Sequence, residues 1–348
     1  MFCQVEPEQV IAVHNVASTY HVPLLLERQG LITTIRDLLQ LDQVQKSNAL
    51  IKKGSDSWAE WKTLTTAQDR LFDTVNIVLV GKYTSLHDSY LSVIKSLEHC
   101  SMRCGKKLNL IWVDASHLEA AIEAPAEYHK AWLGLHEADG ILVPGGFGLR
   151  GTEGMIMAAK YAREHKKPYL GICLGMQIAT IEFARHVCGM PNATSAELNK
   201  AGEDQVIIFM PEGDKEKLGG TMRLGRKPTT FQPGTEWSKL RKLYGGETVI
   251  DERHRHRYEV KPEYIERLQV GGLHFVGKGD ENKRMEILEL KDHPWYVAVQ
   301  FHPEYMSRVL APSRPYLGFV AAASGCLDRI TTEMGFAVNV GKANNVTI

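Results

Sequence analysis

Pro168-Tyr169-Leu170-Gly171-Ile172-Cys173-Leu174-Gly175-Met176-Gln177 decides the fold. Residues Pro168–Ile172 form a short apolar run of strand length, and Leu174–Val187 carries the pattern of a helix. Between them lies Gly-x-Cys-x-Gly. A chain that passes directly from strand to helix turns sharply, so small residues are needed on both sides of the corner. The cysteine is then held at the carboxyl end of the strand, with the helix N-terminus aimed at its sulfur. The partial positive charge there favours thiolate, the reactive form.

Working outward, the same alternation recurs. Val75–Val80 is a continuous apolar run, as expected of a buried parallel strand. Helix is predicted over Tyr90–Cys100, strand over Leu108–Val113, helix over Glu127–Glu137 and strand over Gly140–Val143. A helix over Gly154–His165 leads into the Pro168 strand. Strands alternating with helices of this length predict an α/β fold, a doubly wound and mostly parallel sheet flanked by helices. Downstream, Gln205–Met210 and Arg253–Val260 read as strands, and Gly219–Lys227 reads as a loop rich in glycine and arginine. Met285–Leu290 and Trp295–Gln300 read as a strand pair turning at Asp292-His293-Pro294, and Pro315–Ile330 reads as a closing helix.

The ends differ from this core. In residues 1–45 a strand-like piece, Gln9–Val13, is followed by a helix opening at Pro23 and running past Gly30 towards Leu41. These pieces cannot bury a core alone. Residues 46–72 are polar and read as a linker, with Trp58 and Trp61 packing it onto a neighbour. The α/β domain is placed at 73–330, and 331–348 reads as a disordered tail.

Composition narrows the function. Acidic and basic residues balance at 41 each, which argues against nucleic acid as a partner. No apolar run approaches the roughly 18 residues needed to span a bilayer, and the N-terminus lacks a signal-peptide pattern. The six cysteines show no disulfide or zinc spacing, so a cytoplasmic location and no metal are expected. Cys100 and Cys104 read as buried helix thiols.

Two further segments complete a candidate active site around Cys173. Pro144-Gly145-Gly146-Phe147-Gly148 follows a parallel strand, and its glycines let backbone amides approach a ligand. The amides of Gly146 and Leu174 are the expected oxyanion donors. Val297-Ala298-Val299-Gln300-Phe301-His302-Pro303-Glu304 is an apolar strand ending in a histidine, with a carboxylate two residues on. His302 is the candidate base and Glu304 the group that orients it.

The combination PGGFG, GICLGMQ and FHPE, in that order, resembles the class I glutamine amidotransferases. The stretches Val80–Tyr83, Gly145–Gly154, Gly220–Gly225 and Arg253–Val260 are similar to the glutaminase domain of CTP synthases, and Phe2–Gly30 to the end of their synthetase domain. The resemblance implies a flavodoxin-like sheet and a Cys173–His302–Glu304 triad that hydrolyses glutamine. It implies a glutamine site formed by Gly146, Leu174, Gly175, Met176, Gln177, Glu197 and Arg257. In a strand Arg257 shares one face with Arg253 and Arg255, and a guanidinium there can clamp an α-carboxylate. The segment around Glu197 departs from the family's usual Asn-Ser-Thr-Glu-Phe. The family is activated by GTP, which places a nucleotide between Phe147 and a lid containing Gly220, Arg223 and Leu224.

Complete members of that family also bind ATP, Mg²⁺ and UTP through a phosphate loop. No G-x-x-x-x-G-K-[ST] occurs here, so only the glutaminase half-reaction is expected, with no cofactor of its own. A second reading remains open: a regulatory or assembly role beside full-length CTP synthase. The helix carrying Tyr128, His129 and Trp132 resembles the filament contact of eukaryotic members, which implies that His129 and Trp132 face solvent.

Overall fold

The computed structural model describes residues 4–119, 124–199, 201–210 and 222–334. The chain divides into two compact units, 1–72 and 73–348.

The first unit is helical: α1 (Val22–Arg28), α2 (Leu31–Leu38) and α3 (Asn48–Gln68). Three expectations fail here. The helix expected to run through Gly30 is broken there, because Gly30 takes a left-handed φ of +79°. The strand-like piece at Gln9–Val13 has no neighbouring strand. Its Ala12 backbone instead receives both bonds it needs from the Gln29 side-chain amide, at 2.7 and 2.8 Å. The polar stretch read as a linker is a 21-residue helix. Ser47 caps it by accepting the Leu50 amide at 3.3 Å. Trp58 donates to Glu27 at 2.8 Å and Trp61 to the Tyr20 carbonyl at 3.2 Å. Composition marked this segment as polar, but a surface helix is polar over most of its circumference.

The second unit is the α/β domain. Its strands are β1 (Thr74–Gly81), β2 (Lys107–Asp114), β3 (Gly140–Val143), β4 (Tyr169–Ile172), β5 (Thr194–Ser195), β6 (Gln205–Phe209), β7 (Arg223–Phe231), β8 (Val249–His256), β9 (Tyr258–Val260), β10 (His274–Gly279), β11 (Arg284–Glu289) and β12 (Tyr296–Val299). Its helices are α4 (Leu91–Cys104), α5 (Pro125–Glu137), α6 (Thr152–Glu164), α7 (Leu174–His186), α8 (Lys239–Leu243), α9 (Ile265–Val270) and α10 (Arg314–Ala323). Residues 327–334 add a further helix, so the predicted tail begins in ordered chain, and the rest of it lies outside the described residues.

Among the described residues the main sheet has nine strands, in the order β2-β1-β3-β4-β12-β11-β10-β7-β8. The run β2-β1-β3-β4-β12 is parallel throughout. From β12 onward every pairing is antiparallel. The parallel part has the flavodoxin-like order, with its switch point between β1 and β3. A second sheet, β5-β6-β9, stands apart from it.

The apolar runs are continuous because both faces are covered. In β1, Val78 and Val80 pack into one core with residues of α5, α6 and α7. Ile77 and Leu79 pack into the other with α4 and α10. Alternate residues of one strand therefore feed two cores.

The Gly219–Lys227 loop is corrected from Arg223 onward. Arg223 opens β7 and pairs with β8 from Arg223↔His256 onward. Its side chain is buried, bonded to Glu286 on β11 at 2.6 Å and to Asp280 at 2.8 Å. Thr229 donates to the other Glu286 oxygen. The pairing of β7 with β8 supplies ladder partners that a glycine-rich sequence does not advertise. Gly220 lies outside the described residues. Replacing Arg223 by Met should leave Glu286 buried without its counter-ion and lower stability by about 3–5 kcal/mol. The urea midpoint of the variant reads this directly.

Candidate active site

The site forms at the carboxyl ends of the parallel strands. β4 ends at Ile172, and Cys173 takes φ 53° and ψ −97° before α7 begins. A left-handed φ in a non-glycine residue costs energy and persists only where the surroundings enforce it. Here they do. The Cys173 amide is bonded to Val299 O of β12 at 2.7 Å. A Cβ on Gly175 would lie 2.1 Å from the Val143 carbonyl oxygen, and one on Gly171 would lie 2.6 Å from the Gly175 oxygen. Both glycines are demanded by close backbone approach.

His302 follows β12. Its amide donates to Arg253 O of β8 at 2.7 Å. Its Nδ1 lies 2.8 Å from Glu304 Oε1, and its ring shares the wall of one cavity with Cys173. The expected extended His-x-Glu geometry is replaced by a 3-10 turn, Pro303–Met306. Pro303 stands at its first position, where a missing N–H costs nothing. The turn folds the carboxylate back onto the imidazole. Ser96 of α4 holds the turn by donating to Glu304 O at 3.3 Å. Burial works against a charged His302, yet Cys173 and Glu304 together lift its proton affinity well above the ordinary histidine range.

The glycine loop closes the site. A Cβ on Gly145 would lie 2.9 Å from His302 Cε1, and one on Gly146 would lie 3.4 Å from Leu174 Cδ2. Gly145 thus sits against both His302 and Cys173. Leu174 opens α7, so its amide is among those a helix leaves without an internal acceptor. Lys82, at the end of β1, shores up the loop from behind, donating to Phe147 O at 3.4 Å and to Gly148 O. Burial pulls this lysine down to about 8, with the Glu197 carboxylate opposing.

A cavity of about 180 Å³ opens here, with Cys173, His302, Glu304 and Gly146 in its wall beside Tyr83 and Arg255. The other expected glutamine ligands are placed differently. Gly175 and Met176 are buried in α7. Gln177 is buried and donates to Tyr258 O at 3.2 Å. Glu197 accepts the Gly148 amide at 3.0 Å, so it holds the glycine loop. Arg257 falls at the joint between β8 and β9, and Arg255 lines the cavity. Phe147 and Leu224 are exposed, at 44% and 54%.

Gln300 was not anticipated from sequence. It is buried, and its Nε2 lies 3.6 Å from the Cys173 sulfur. Its position two residues before His302 was the available signal. His254 and His256 face inward, 3.2 Å apart, each held neutral chiefly by burial and also by Arg223. Among the described residues no cluster of three metal-ligating side chains occurs.

Comparison with known proteins places this geometry. Residues 85–322 match the family described as glutamine amidotransferase class-I. The chain belongs to the class I glutamine amidotransferases. Within them this amidotransferase is 61% identical to CTP synthase of Neurospora crassa over 341 residues, covering 96% of the chain and 58% of that protein. It is 58% identical to CTP synthase of Schizosaccharomyces pombe, covering 94% and 55%. It thus spans little more than half the length of these relatives. The solved glutaminase domain of Trypanosoma brucei CTPS, with bound acivicin, is 38% identical, with a TM-score of 0.66 over 72% of this chain and 94% of that one.

A glutamine-mimicking electrophile should alkylate Cys173 and spare Cys100 and Cys104. Both of the latter are buried, and their thiols are pushed up, Cys100 by burial and Cys104 by its hydrogen bond with Cys326 and by burial. In His302→Ala the alkylation rate at neutral pH should fall about 100-fold or more, as read by mass spectrometry of the labelled peptide.

Proposed function

We propose that this amidotransferase hydrolyses L-glutamine to glutamate and ammonia through Cys173, His302 and Glu304. The observation that carries the reading is the strained Cys173 corner, which shares a cavity wall with a histidine held at 2.8 Å by a carboxylate. The Cys173 thiolate attacks the δ-amide carbon, and the developing oxyanion meets the amides of Gly146 and Leu174. His302, as imidazolium, gives its proton to the departing ammonia. A glutamyl thioester remains. Neutral His302 then takes a proton from water, the hydroxide attacks the thioester, and the thiolate leaves as glutamate forms. Glu304 keeps the imidazole in place and offsets its charge throughout.

Arg255 on the cavity wall and Arg257 beyond it are the cations for the substrate α-carboxylate. The relatives' name supports a further step: ammonia passes to UTP, activated by ATP with Mg²⁺, in a synthetase part that those longer proteins contain. The expectation of no cofactor for the hydrolysis itself is kept. GTP is proposed to stack on exposed Phe147 beside Leu224, with Arg223 withdrawn from that role by its buried ion pairs. Among the described residues no helix is long and apolar enough to cross a membrane. Free thiols at Cys100, Cys104, Cys173, Cys188 and Cys326 support a reducing, cytoplasmic setting.

A second reading, a subunit that joins full-length CTP synthase in tetramers or filaments, has its own observation. His129 on α5 is exposed and Leu133 beside it is exposed, while Trp132 is half-buried against Tyr161. Trp132 is therefore less accessible than the resemblance implied.

Ammonia release from glutamine by the purified chain, with and without GTP, tests the first reading. Cys173→Ser should abolish it while the far-UV circular dichroism is unchanged. Ammonia at an undiminished rate from that variant overturns the assignment. Phe147→Ala should lose the stimulation by GTP and keep the basal rate.

A further inference from the structure

The Cys173 sulfur is approached from two directions. His302 shares the wall of the open cavity with it. From the buried interior it meets a side chain that the triad does not use. Ile172 of β4 pairs with Val299 of β12, so one step further Cys173 stands beside Gln300. The Cys173 amide donates to Val299 O at 2.7 Å, and the Gln300 amide donates to Glu286 O of β11 at 2.9 Å. Both backbones are therefore fixed where the two side chains meet. Gln300 is 1% exposed, and its Nε2 lies 3.6 Å from the sulfur. Sulfur is larger than oxygen, so this is hydrogen-bond distance.

A backbone carbonyl decides which end of the Gln300 amide faces the sulfur. Tyr258 O can only accept. Gln177 of α7 is buried and donates to it from Nε2 at 3.2 Å. The same Nε2 lies 3.5 Å from Gln300 Oε1. Were the Gln300 amide turned over, two NH₂ groups would face each other in the interior with no acceptor between them. Oε1 therefore faces Gln177, and Nε2 points at the sulfur. Tyr258 O also accepts from His256 Nδ1 at 3.0 Å, so both of its lone pairs are used.

The sulfur also meets an acceptor, Arg255 O, at 3.9 Å. A thiol can donate its proton there. A thiolate can only accept, and an amide N–H bonds more strongly to a charged partner. Passing from thiol to thiolate thus exchanges a weak bond to Arg255 O for a charge-assisted one from Gln300. The titratable and charged groups lining the cavity with the sulfur are His302, Glu304 and Tyr305, Arg255 from β8, and Tyr83 and Tyr90 from the stretch between β1 and α4. Gln300 differs from all of them in adding a donor that does not itself titrate.

We propose that Gln300 is a further catalytic residue, donating from the buried side to negative charge on the Cys173 sulfur, and that Gln177 is the positioning residue that aims it. The inference rests on the reaction proposed above. Charge stands on the sulfur twice in that reaction: before the attack, and when the thioester carbon releases it. The Gln300 N–H stabilises both states, and no bond to Gln300 forms or breaks. Both amides are committed to these contacts and not to the substrate. Turnover should therefore respond to their loss, while KM holds.

The test follows the rate at which iodoacetamide alkylates Cys173 as pH is varied, read by mass spectrometry of the labelled peptide. Gln300→Met keeps the length of the side chain and removes the N–H. Its alkylation should be about tenfold slower near neutrality, the worth of one hydrogen bond to a charged group. It should approach the wild-type rate at alkaline pH, where the sulfur ionises unaided. Its kcat for glutamine at neutral pH should fall by a similar factor at constant KM. Gln177→Met should displace the alkylation profile in the same direction by less, although its own bonds are to Tyr258 and Gln300. Superimposable profiles for wild type and Gln300→Met overturn the proposal, even in a chain that hydrolyses glutamine. A rate lowered equally at every pH overturns it too, because lost packing does not depend on the charge of the sulfur. A raised KM at constant kcat in Gln177→Met makes that residue a substrate ligand and overturns its positioning role. Should Gln300→Met not fold, amide NMR of wild type carrying isotope-labelled glutamine side chains decides. Alkylation of Cys173 should move a glutamine NH₂ pair, and a spectrum without that change overturns the proposal. A chain that shows the displaced profile and releases no ammonia overturns the hydrolysis reading, and the catalytic role falls with it, while the bond to the sulfur stands.

Discussion

The contact between the Gly175 backbone and the Val143 carbonyl is the constraint on which the site depends. It allows α7 to start directly against β3, with no room for a side chain between them. Because α7 starts there, Cys173 has no loop in which to relax, and it takes a left-handed backbone held by a bond to β12. The same closeness brings the glycine loop after β3 onto the sulfur. Three neighbouring strands, β3, β4 and β12, thus deliver the glycine loop, Cys173 and His302 to one cavity, because parallel strands end on the same side. Strain at Cys173 is sustained by the packing of α7, which is buried along nearly its whole length.

Charge is distributed unevenly around that point. The parallel half of the sheet is apolar on both faces. The antiparallel half, by contrast, carries a buried polar layer: Arg223, Glu286, Thr229, His254 and His256 bridge β7, β8 and β11. The inward histidines of β8 are neutral, so they add no cation beside His302. The outward residues of the same strand include Arg255 on the cavity wall. One alternation, in and out along β8, separates its buried histidines from its exposed arginines. β8, an edge strand, also carries the Arg253 carbonyl that accepts the His302 amide.

Local pattern was enough for the α/β alternation and for Cys173, His302 and Glu304, since strand, turn and helix signals are encoded within a few residues of each. It failed where the partner is distant in sequence. Arg223 looked like part of a flexible loop, because nothing near it announces the β8 ladder or the Glu286 carboxylate 63 residues away. Residues 48–68 looked like a linker because most of the helix surface is polar, and Ser47 as a cap was the one local sign. Gln300 and Lys82 carry no motif of their own. Each matters through one contact, with the Cys173 sulfur and with the glycine-loop carbonyls.

The sequence by itself determined the class of fold and the family, and it marked Cys173, His302 and Glu304 as the candidate catalytic residues. Each of these depends on residue types at short spacing, where backbone geometry leaves few alternatives. Only the tertiary structure decided that Arg255 lines the cavity. The reason is the approach of β8 to the end of β12, where the His302 amide bonds Arg253 O two residues before Arg255.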